Sequence, residues 1–109
     1  MKKIFVAGPY NNSDKSLMEQ RLKSITQYCL KLFLDGQAPV SPLLIGLNMA
    51  KEGDLPTDTE TWKEYSRGLL KGCDEIHILL LDDWFKSSGV QYEIDHAKSL
   101  NIEIKFIAI

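Results

Sequence analysis

The stretch EIHILLLDDWFKSSGVQYE, residues 75–93, contains a strand, a turn and a helix start in succession. Residues 75–81 are almost continuously apolar, which is typical of a strand covered on both faces of a parallel sheet. Two aspartates and a polar loop follow, and a helix is expected to begin at Ser88. An α/β sheet presents ligand-binding side chains where a strand ends and the next helix starts. We therefore expect a site here, with Glu93 as the group presented to a ligand.

The rest of the chain alternates short apolar strands with amphipathic helices. In chain order we expect a strand at 3–8, a helix from Ser16 to Gly36, an edge strand at 37–41 that contains Pro39, a helix from about 57 to Gly72, the strand at 75–81, a helix from Ser88 to Asn101 and a strand at 102–106. Capping boxes are predicted at residues 16–19 and 88–91. Residues 42–56 hold two prolines and two glycines and are interpreted as a loop with at most one helical turn, of the kind that often covers a binding site.

This order of elements predicts an α/β fold, because parallel strands joined by helices need right-handed crossovers. We expect one domain over residues 1–109, a Rossmann or flavodoxin-like three-layer sandwich with a parallel four-stranded sheet in the order 2-1-3-4. The chain reverses direction across the sheet between strands 1 and 3. The binding crevice should therefore lie between the loop at 8–10 and the loop at 82–88.

The composition favours a small-molecule ligand. Thirteen Lys and Arg against fifteen Asp and Glu leave a formal charge of -2, so no basic surface is expected for polymeric nucleic acid. The first apolar stretch ends at Gly8-Pro9, too early for a signal peptide or a membrane span, which predicts a cytoplasmic protein without membrane contact. Cys29 and Cys73 lack Cys-x-x-Cys spacing and are expected to be reduced, packed thiols.

The two histidines give no case for a metal site, because no further ligands cluster near them in sequence. His77 alternates with isoleucines inside a predicted strand and is expected to be a hydrogen-bonded core residue. His96 should point away from the core side of its helix and be solvated. No metal and no cofactor are therefore expected.

The helix start is suited to an anion such as a phosphate. Backbone N–H groups near Ser88 and Gly89 have no helical acceptors, and the hydroxyls of Ser87 and Ser88 add donors. Simple capping by Ser88 explains the same residues. Asp82, at the end of the strand, could contact a ligand hydroxyl or cap its own loop. Tyr10 and Trp84 could stack on a base or cover the edge of the core.

Glu93 follows Gly89 by four residues, and helical side chains lean towards the N-terminus, so its carboxylate should project over a residue without a Cβ. A carboxylate there could attack a sugar carbon and form a covalent glycosyl ester, as in retaining glycosidases. The alternative is a solvated glutamate that the helix dipole favours. Residue chemistry alone leaves both possibilities open.

Several motifs run through most of the chain: a glycine turn after the first strand, Ala-Pro-Val-Ser-Pro at 38–42, Cys-Asp at 73–74 and Ser-x-Gly-Val-x-Tyr-Glu at 87–93. In these the chain resembles the nucleoside 2-deoxyribosyltransferase-like superfamily, including the 2′-deoxynucleoside 5′-phosphate N-hydrolases. The resemblance implies that Glu93 is the nucleophile at the anomeric carbon and that Ser87 and Gly89 lie near a bound 5′-phosphate. It also implies a homodimer or higher homo-oligomer.

The chain is also similar to a small bacterial and phage branch of that superfamily. The shared pattern consists of Trp62, Tyr65, Cys73, Asp74, Trp84, Ser87 and Gly89. Two positions depart from the characterised enzymes. Ser66-Arg67-Gly68 stands where they place an assisting aspartate, and Gly8-Pro9-Tyr10-Asn11 replaces the arginine-containing turn of the phosphate hydrolases.

The leading hypothesis is an N-glycosidase or deoxyribosyltransferase that acts on a 2′-deoxynucleoside or its 5′-monophosphate. Glu93 would be catalytic, and the expected substrate-binding residues are Gly8, Pro9, Tyr10, Asp82, Ser87, Ser88 and Gly89. The alternative is a catalytically inactive nucleotide-binding or sensing module. A purely structural phage or host protein, the third hypothesis, would bind no nucleotide.

Overall fold

A four-stranded parallel sheet forms the centre of the molecule. The computed structural model describes all residues from 1 to 109. The strands are β1 (Lys3–Ala7), β2 (Ala38–Val40), β3 (Glu75–Leu79) and β4 (Glu103–Ile107), and their spatial order is β2-β1-β3-β4. All three neighbouring pairs are parallel. The predicted order 2-1-3-4 is confirmed, and the proline-containing strand β2 lies at an edge.

Four α-helices connect the strands: α1 (Lys15–Leu34), α2 (Pro42–Ala50), α3 (Thr59–Leu70) and α4 (Ser88–Ser99). A 3-10 turn at Trp84–Lys86 comes immediately before α4. None of the helices combines the length and the apolar character that a bilayer crossing needs. As expected, left-handed residues follow three helices: Gly36 after α1, Gly72 after α3 and Asn101 after α4.

Alternate residues of β1 enter two separate cores, one on each face of the sheet. Phe5 and Ala7 pack with buried residues of β3, α3 and α4. Ile4 and Val6 pack with Ile25 and other residues of α1. Each face of the central strands is thus covered by helices, which confirms the three-layer α/β sandwich.

The helix starts differ from the two predicted capping boxes. Helix α1 begins at Lys15 because the carboxylate of Asp14 accepts the N–H groups of Ser16 (2.9 Å) and Leu17 (3.4 Å). Ser87, and not Ser88, caps α4, and its Oγ accepts from Val90 N at 3.2 Å. The preceding 3-10 turn leaves Ser87 extended, so the capping residue lies one residue earlier than predicted. The expected capping boxes at 16–19 and 88–91 are therefore wrong.

The interpretation of residues 42–56 as a loop is wrong in its first half, where the nine-residue helix α2 forms. Ser41 caps this helix, with its Oγ accepting from Leu44 N at 3.2 Å. Pro42 occupies the first helical position, where a missing N–H costs nothing. Residues 51–58 form the connection to α3, and α2 lies beside that helix.

Candidate active site

A cleft of about 860 Å³ opens at the carboxyl edge of the sheet, between the loop after β1 and the start of α4. Its lining includes these predicted site residues: Gly8, Pro9, Tyr10, Ser87, Ser88, Gly89 and Glu93. The fold brings them together from opposite ends of the sequence, because β1 and β3 are neighbours in the sheet. The cleft lies at the crevice that the strand order predicted.

Asp82 does not belong to the lining of this cleft, which contains Asp83 in its place. The chain turns sharply after β3, with Trp84 N donating to Leu81 O at 3.0 Å. Asp83 adopts a left-handed conformation with φ of 63° in that turn. Asp82 is exposed, and its backbone carbonyl, rather than its carboxylate, accepts a hydrogen bond from Arg21 at 3.0 Å.

Glu93 lies in the second turn of α4, half-buried in the lining of the cleft. Burial raises the pKa of its carboxyl group to about 7, and interaction with the Ser66 hydroxyl opposes part of that rise. None of the ion pairs of the chain includes Glu93. A Cβ built on Gly89 would have Ser87 Oγ, at 3.9 Å, as its only neighbour, so the space near the helix start is open.

The first turn of α4 supplies positive polarity to the same side of the cleft. The N–H groups of Ser88 and Gly89 come before the first possible intrahelical hydrogen bond and remain free for a ligand. Lys86 also lines the cleft and pairs only loosely with Asp83, at 3.7 Å. An anionic or hydroxylated ligand group is favoured here.

Part of the lining is an apolar wall that consists of Leu43, Leu47, Ala50, Leu55 and Trp62. Trp62 is held in place by its indole N–H, which donates to Pro56 O at 2.8 Å. Gly46 lies against the ring, since a Cβ there would be 3.1 Å from it. Sequence reasoning missed this wall because it treated α2 as a loop. The Ser-Pro pair before the apolar run at 43–47 was the available signal.

Arg21 also lines the cleft, and sequence reasoning missed it as well. It is only 6% exposed, and it follows the same side of α1 as Ile25 and Cys29 at intervals of four residues. Its guanidinium donates to three backbone carbonyls: Tyr10 and Asn11 at 3.3 Å each, and Asp82 at 3.0 Å. A charged residue in register with a helix's apolar side was the available signal.

The aromatic residues near the helix start have different positions. Tyr10 lines the cleft, whereas Trp84 packs on the α3/α4 core and lies 5.6 Å from Phe106 between ring centroids. Tyr92 lines the cleft and accepts a hydrogen bond from Arg67 Nη2 at 2.7 Å. Of the two predictions for Trp84, coverage of the core edge is the one that the contacts bear out.

The histidines and cysteines lie outside the cleft. Tyr28 Oη is 2.7 Å from His77 Nδ1, and His77 Nε2 is 2.8 Å from Glu75, so His77 is the hydrogen-bonded core residue that we expected. His96 was expected to be solvated, and this is wrong. Its ring stacks on Tyr92 and its Nε2 is sealed from solvent without a partner. Cys29 and Cys73 are buried free thiols, and burial raises the pKa of Cys29 to about 11.

A family model described as a domain of unknown function, DUF7768, matches residues 2–107. The chain belongs to the DUF7768 family. Comparison with curated proteins gave no significant match.

Solved structures show which fold this DUF7768 chain shares. A CMP N-glycosidase from Clostridium botulinum, BcmB, is 18% identical in sequence, with a TM-score of 0.67. The superposition covers 98% of this chain and 71% of the BcmB chain. A 2-deoxyribosyltransferase from Bacillus psychrosaccharolyticus is 16% identical with a TM-score of 0.68, over 97% of this chain and 72% of its own. A 2-desoxiribosyltransferase from Leishmania mexicana is 16% identical with a TM-score of 0.63, over 99% of this chain and 65% of the Leishmania chain. The fold is therefore nucleoside 2-deoxyribosyltransferase-like, as the sequence motifs predicted.

Proposed function

We propose that the chain is an N-glycosidase or deoxyribosyltransferase that acts on 2′-deoxynucleosides or their 5′-monophosphates, with Glu93 as the nucleophile. The observation that carries the proposal is the position of Glu93: a half-buried carboxyl group without a cationic partner, in the lining of a large cleft. Perturbed carboxyl groups in clefts are characteristic of catalytic sites. Solved enzymes with this fold include an N-glycosidase and two deoxyribosyltransferases.

The proposed reaction has two displacement steps. The ionised carboxylate of Glu93 attacks the anomeric carbon, and the glycosidic C–N bond breaks with its electron pair leaving on the base, which takes up a proton from water. The resulting glycosyl ester is then attacked by water or by a second base, and the carboxylate is regenerated. A pKa near 7 makes Glu93 more basic than a solvated glutamate while leaving much of it ionised at neutral pH.

The two sides of the cleft suit the two ends of such a substrate. The start of α4, with Ser87, Ser88, Gly89 and the nearby Lys86, would bind a 5′-phosphate or sugar hydroxyls. The apolar wall and Tyr10 would contact the base by stacking and van der Waals packing. Gly8 and Pro9 would form the floor beside Tyr10.

The decisive experiment is a base-release assay on the four 2′-deoxynucleosides and their 5′-monophosphates, with chromatographic detection of the free base. We expect wild-type protein to release base from at least one of them and Glu93→Gln to lose at least about a thousandfold in rate. Ser99→Ala, an exposed change at the far end of α4, is the matched control and should retain activity. Full turnover by Glu93→Gln would refute the mechanism.

A catalytically inactive nucleotide-binding module is the second candidate. It is favoured by Ser66-Arg67-Gly68, the stretch where the characterised enzymes of the resembled superfamily place an assisting aspartate. Calorimetric titration with the same nucleotides distinguishes the candidates. Binding without any release of base supports the module, and release of base excludes it.

We also propose that the protein is a homodimer or higher homo-oligomer. Leu30, Phe33 and Leu34 near the end of α1 are 56%, 66% and 72% exposed, which is much apolar surface for one helix end. Light scattering after size-exclusion chromatography measures the mass directly. A monomer at micromolar concentration would contradict the proposal, and Phe33→Glu should dissociate an oligomer that uses this surface.

A further inference from the structure

The Arg21 side chain connects two segments that are far apart in the chain, residues 10–11 and Asp82, and Asp82 is 61 residues from Arg21 itself. Its Nη1 donates to the carbonyls of Tyr10 and Asn11, both at 3.3 Å, in the loop after β1. Its Nη2 donates to the carbonyl of Asp82, at 3.0 Å, in the turn after β3. We refer to these three hydrogen bonds as the Arg21 bridge. It joins the ends of the two strands between which the cleft opens.

No carboxylate balances the charge of this buried arginine. None of the ion pairs in the chain includes Arg21, and its Nε is sealed from solvent without a hydrogen-bond partner. Burial of an unpaired cation is unfavourable, and a guanidinium cannot lose its proton to avoid that cost. A leucine at this position, on the apolar side of α1, would pack there without the cost of burying a charge. The contribution of Arg21 therefore lies in the carbonyls that it holds.

Those carbonyls belong to residues that shape the cleft. Tyr10 and Asn11 both line it, and so does Asp83, the neighbour of Asp82. The far end of the loop is fixed separately, since Asn12 Oδ1 accepts from Asp14 N at 2.8 Å and Asp14 caps α1. Without the Arg21 bridge, the side-chain and backbone hydrogen bonds found here would hold only that far end, and Tyr10 would be free to move.

We propose that Arg21 is a positioning residue for substrate: it fixes the Tyr10–Asn11 segment against the turn at Asp82 and thereby orients the Tyr10 ring in the cleft. The part that concerns substrate rests on the proposed function, whereas the mechanical part concerns the ligand-free protein. A planar fork of donors is needed to reach carbonyls on two segments, and a lysine ammonium, a single point on a flexible stem, cannot replace it.

The mechanical part is tested by chymotrypsin cleavage after Tyr10, well below the unfolding temperature, with Arg21→Lys as the variant. Cleavage after Tyr28, in the middle of α1, reports unfolding of the whole helix and serves as the internal reference. We expect the ratio of cleavage at Tyr10 to cleavage at Tyr28 to rise about tenfold in Arg21→Lys. Lys23→Ala, an exposed change on the same helix, should leave the ratio unchanged.

The substrate part is tested by steady-state kinetics of the same variants on whichever deoxynucleotide the wild type cleaves. We expect KM to rise about tenfold in Arg21→Lys, while the pH midpoint of the reaction stays in place because burial and Ser66, not Arg21, set the pKa of Glu93. A merely structural role would lower the unfolding temperature and leave KM unchanged. If Arg21→Lys does not fold, Arg21→Gln, which is neutral and forms fewer hydrogen bonds, is measured in the same way.

The two arms separate the failure of this inference from the failure of the proposed function. An unchanged cleavage ratio in a folded variant overturns the Arg21 bridge, whatever the protein does. A raised ratio with an unchanged KM overturns the role in substrate positioning. If the wild type releases no base, the proposed function fails, and Kd values from calorimetry then replace KM; an equal Kd for the wild type and Arg21→Lys, or no binding at all, overturns the positioning role.

Discussion

Ser66 on α3 opposes the effect of burial on Glu93 of α4: burial raises the pKa of the carboxyl group, the Ser66 hydroxyl lowers it, and the resulting pKa is about 7. The two residues come from different helices of the same core and both line the cleft. A hydroxyl can donate to the ionised carboxylate without adding a second negative charge beside it. Ser66 therefore favours the ionised form of Glu93, in opposition to burial.

The first prediction concerns the pH dependence of catalysis. With a deoxynucleoside as substrate, which has no phosphate titrating near pH 6, kcat/KM should rise with pH to a plateau with a midpoint near 7. Ser66→Ala should move that midpoint to higher pH because the ionised form loses a donor. The measurement is a pH–rate profile. A midpoint near 4.5, the ordinary value for glutamate, would show that burial in this cleft does not raise the pKa of the reacting carboxyl group.

The second prediction concerns stability at the same residue. The pKa of Glu93 is higher in the folded state than in the unfolded state, so folding is penalised as the pH rises from about 4.5 to about 7 and fully penalised above 7. Glu93→Gln removes this penalty, and we expect it to be about 1–3 kcal/mol more stable than wild type at pH 8. Urea unfolding at pH 4 should show almost no difference. An equal gain at both pH values would mean that ionisation is not the cause.

The third prediction concerns Glu75, whose side chain is almost fully buried. Hydrogen bonds from Lys2, His77 and Lys105 lower its pKa to about 2. Because the folded-state pKa is depressed, the resulting stability is present above about pH 4.5 and is lost as the pH falls towards 2.

Glu75→Gln should therefore destabilise the protein by about 1–3 kcal/mol at pH 7 and by progressively less on acidification. Urea unfolding between pH 2.5 and 7 measures the effect. The matched control is Glu103→Gln, an exposed change on β4, which should have little effect at any pH. If the loss of unfolding free energy in Glu75→Gln does not depend on pH, the ionised Glu75 carboxylate is not the source of the stability.

The fourth prediction compares two helical glycines. A Cβ on Gly68 of α3 would meet nothing within 4 Å, whereas one on Gly46 of α2 would lie 3.1 Å from the Trp62 ring. Gly68→Ala should gain about 0.5–1 kcal/mol from helix propensity. Gly46→Ala should fall short of that gain by about 1 kcal/mol, because α2 or the indole must move. Thermal unfolding measures both, and equal gains would show that the Gly46–Trp62 contact is not tight.

The order of the strands was predictable because the decisive patterns are local. An apolar run at 75–81, a proline in the second strand and helices between all strands leave few allowed topologies. The place of Glu93 in the lining of the cleft was predictable on the same grounds, since its distance from Gly89 is a property of one helix.

The residues that sequence reasoning missed depend on contacts between distant segments. Arg21 has its partners at Tyr10, Asn11 and Asp82, and no periodicity of α1 identifies them. The exchange of Asp82 for Asp83 follows from one left-handed residue in a turn. Helix α2 was misjudged because two prolines and two glycines outweighed a serine cap followed by Pro42 at the first helical position.

The alternation of β1 between two cores has a consequence for how this protein can change. The proposed nucleophile stands on a helix of the α3/α4 core, whereas Arg21, and through it the Tyr10 loop, stands on the α1 core. Repacking the α1 side can therefore change how the Tyr10 loop meets a ligand without altering the core that carries Glu93. The Tyr10 contribution to ligand preference can then drift or be engineered separately from the acidity of the reacting group, whereas changes at α3 or α4 affect both.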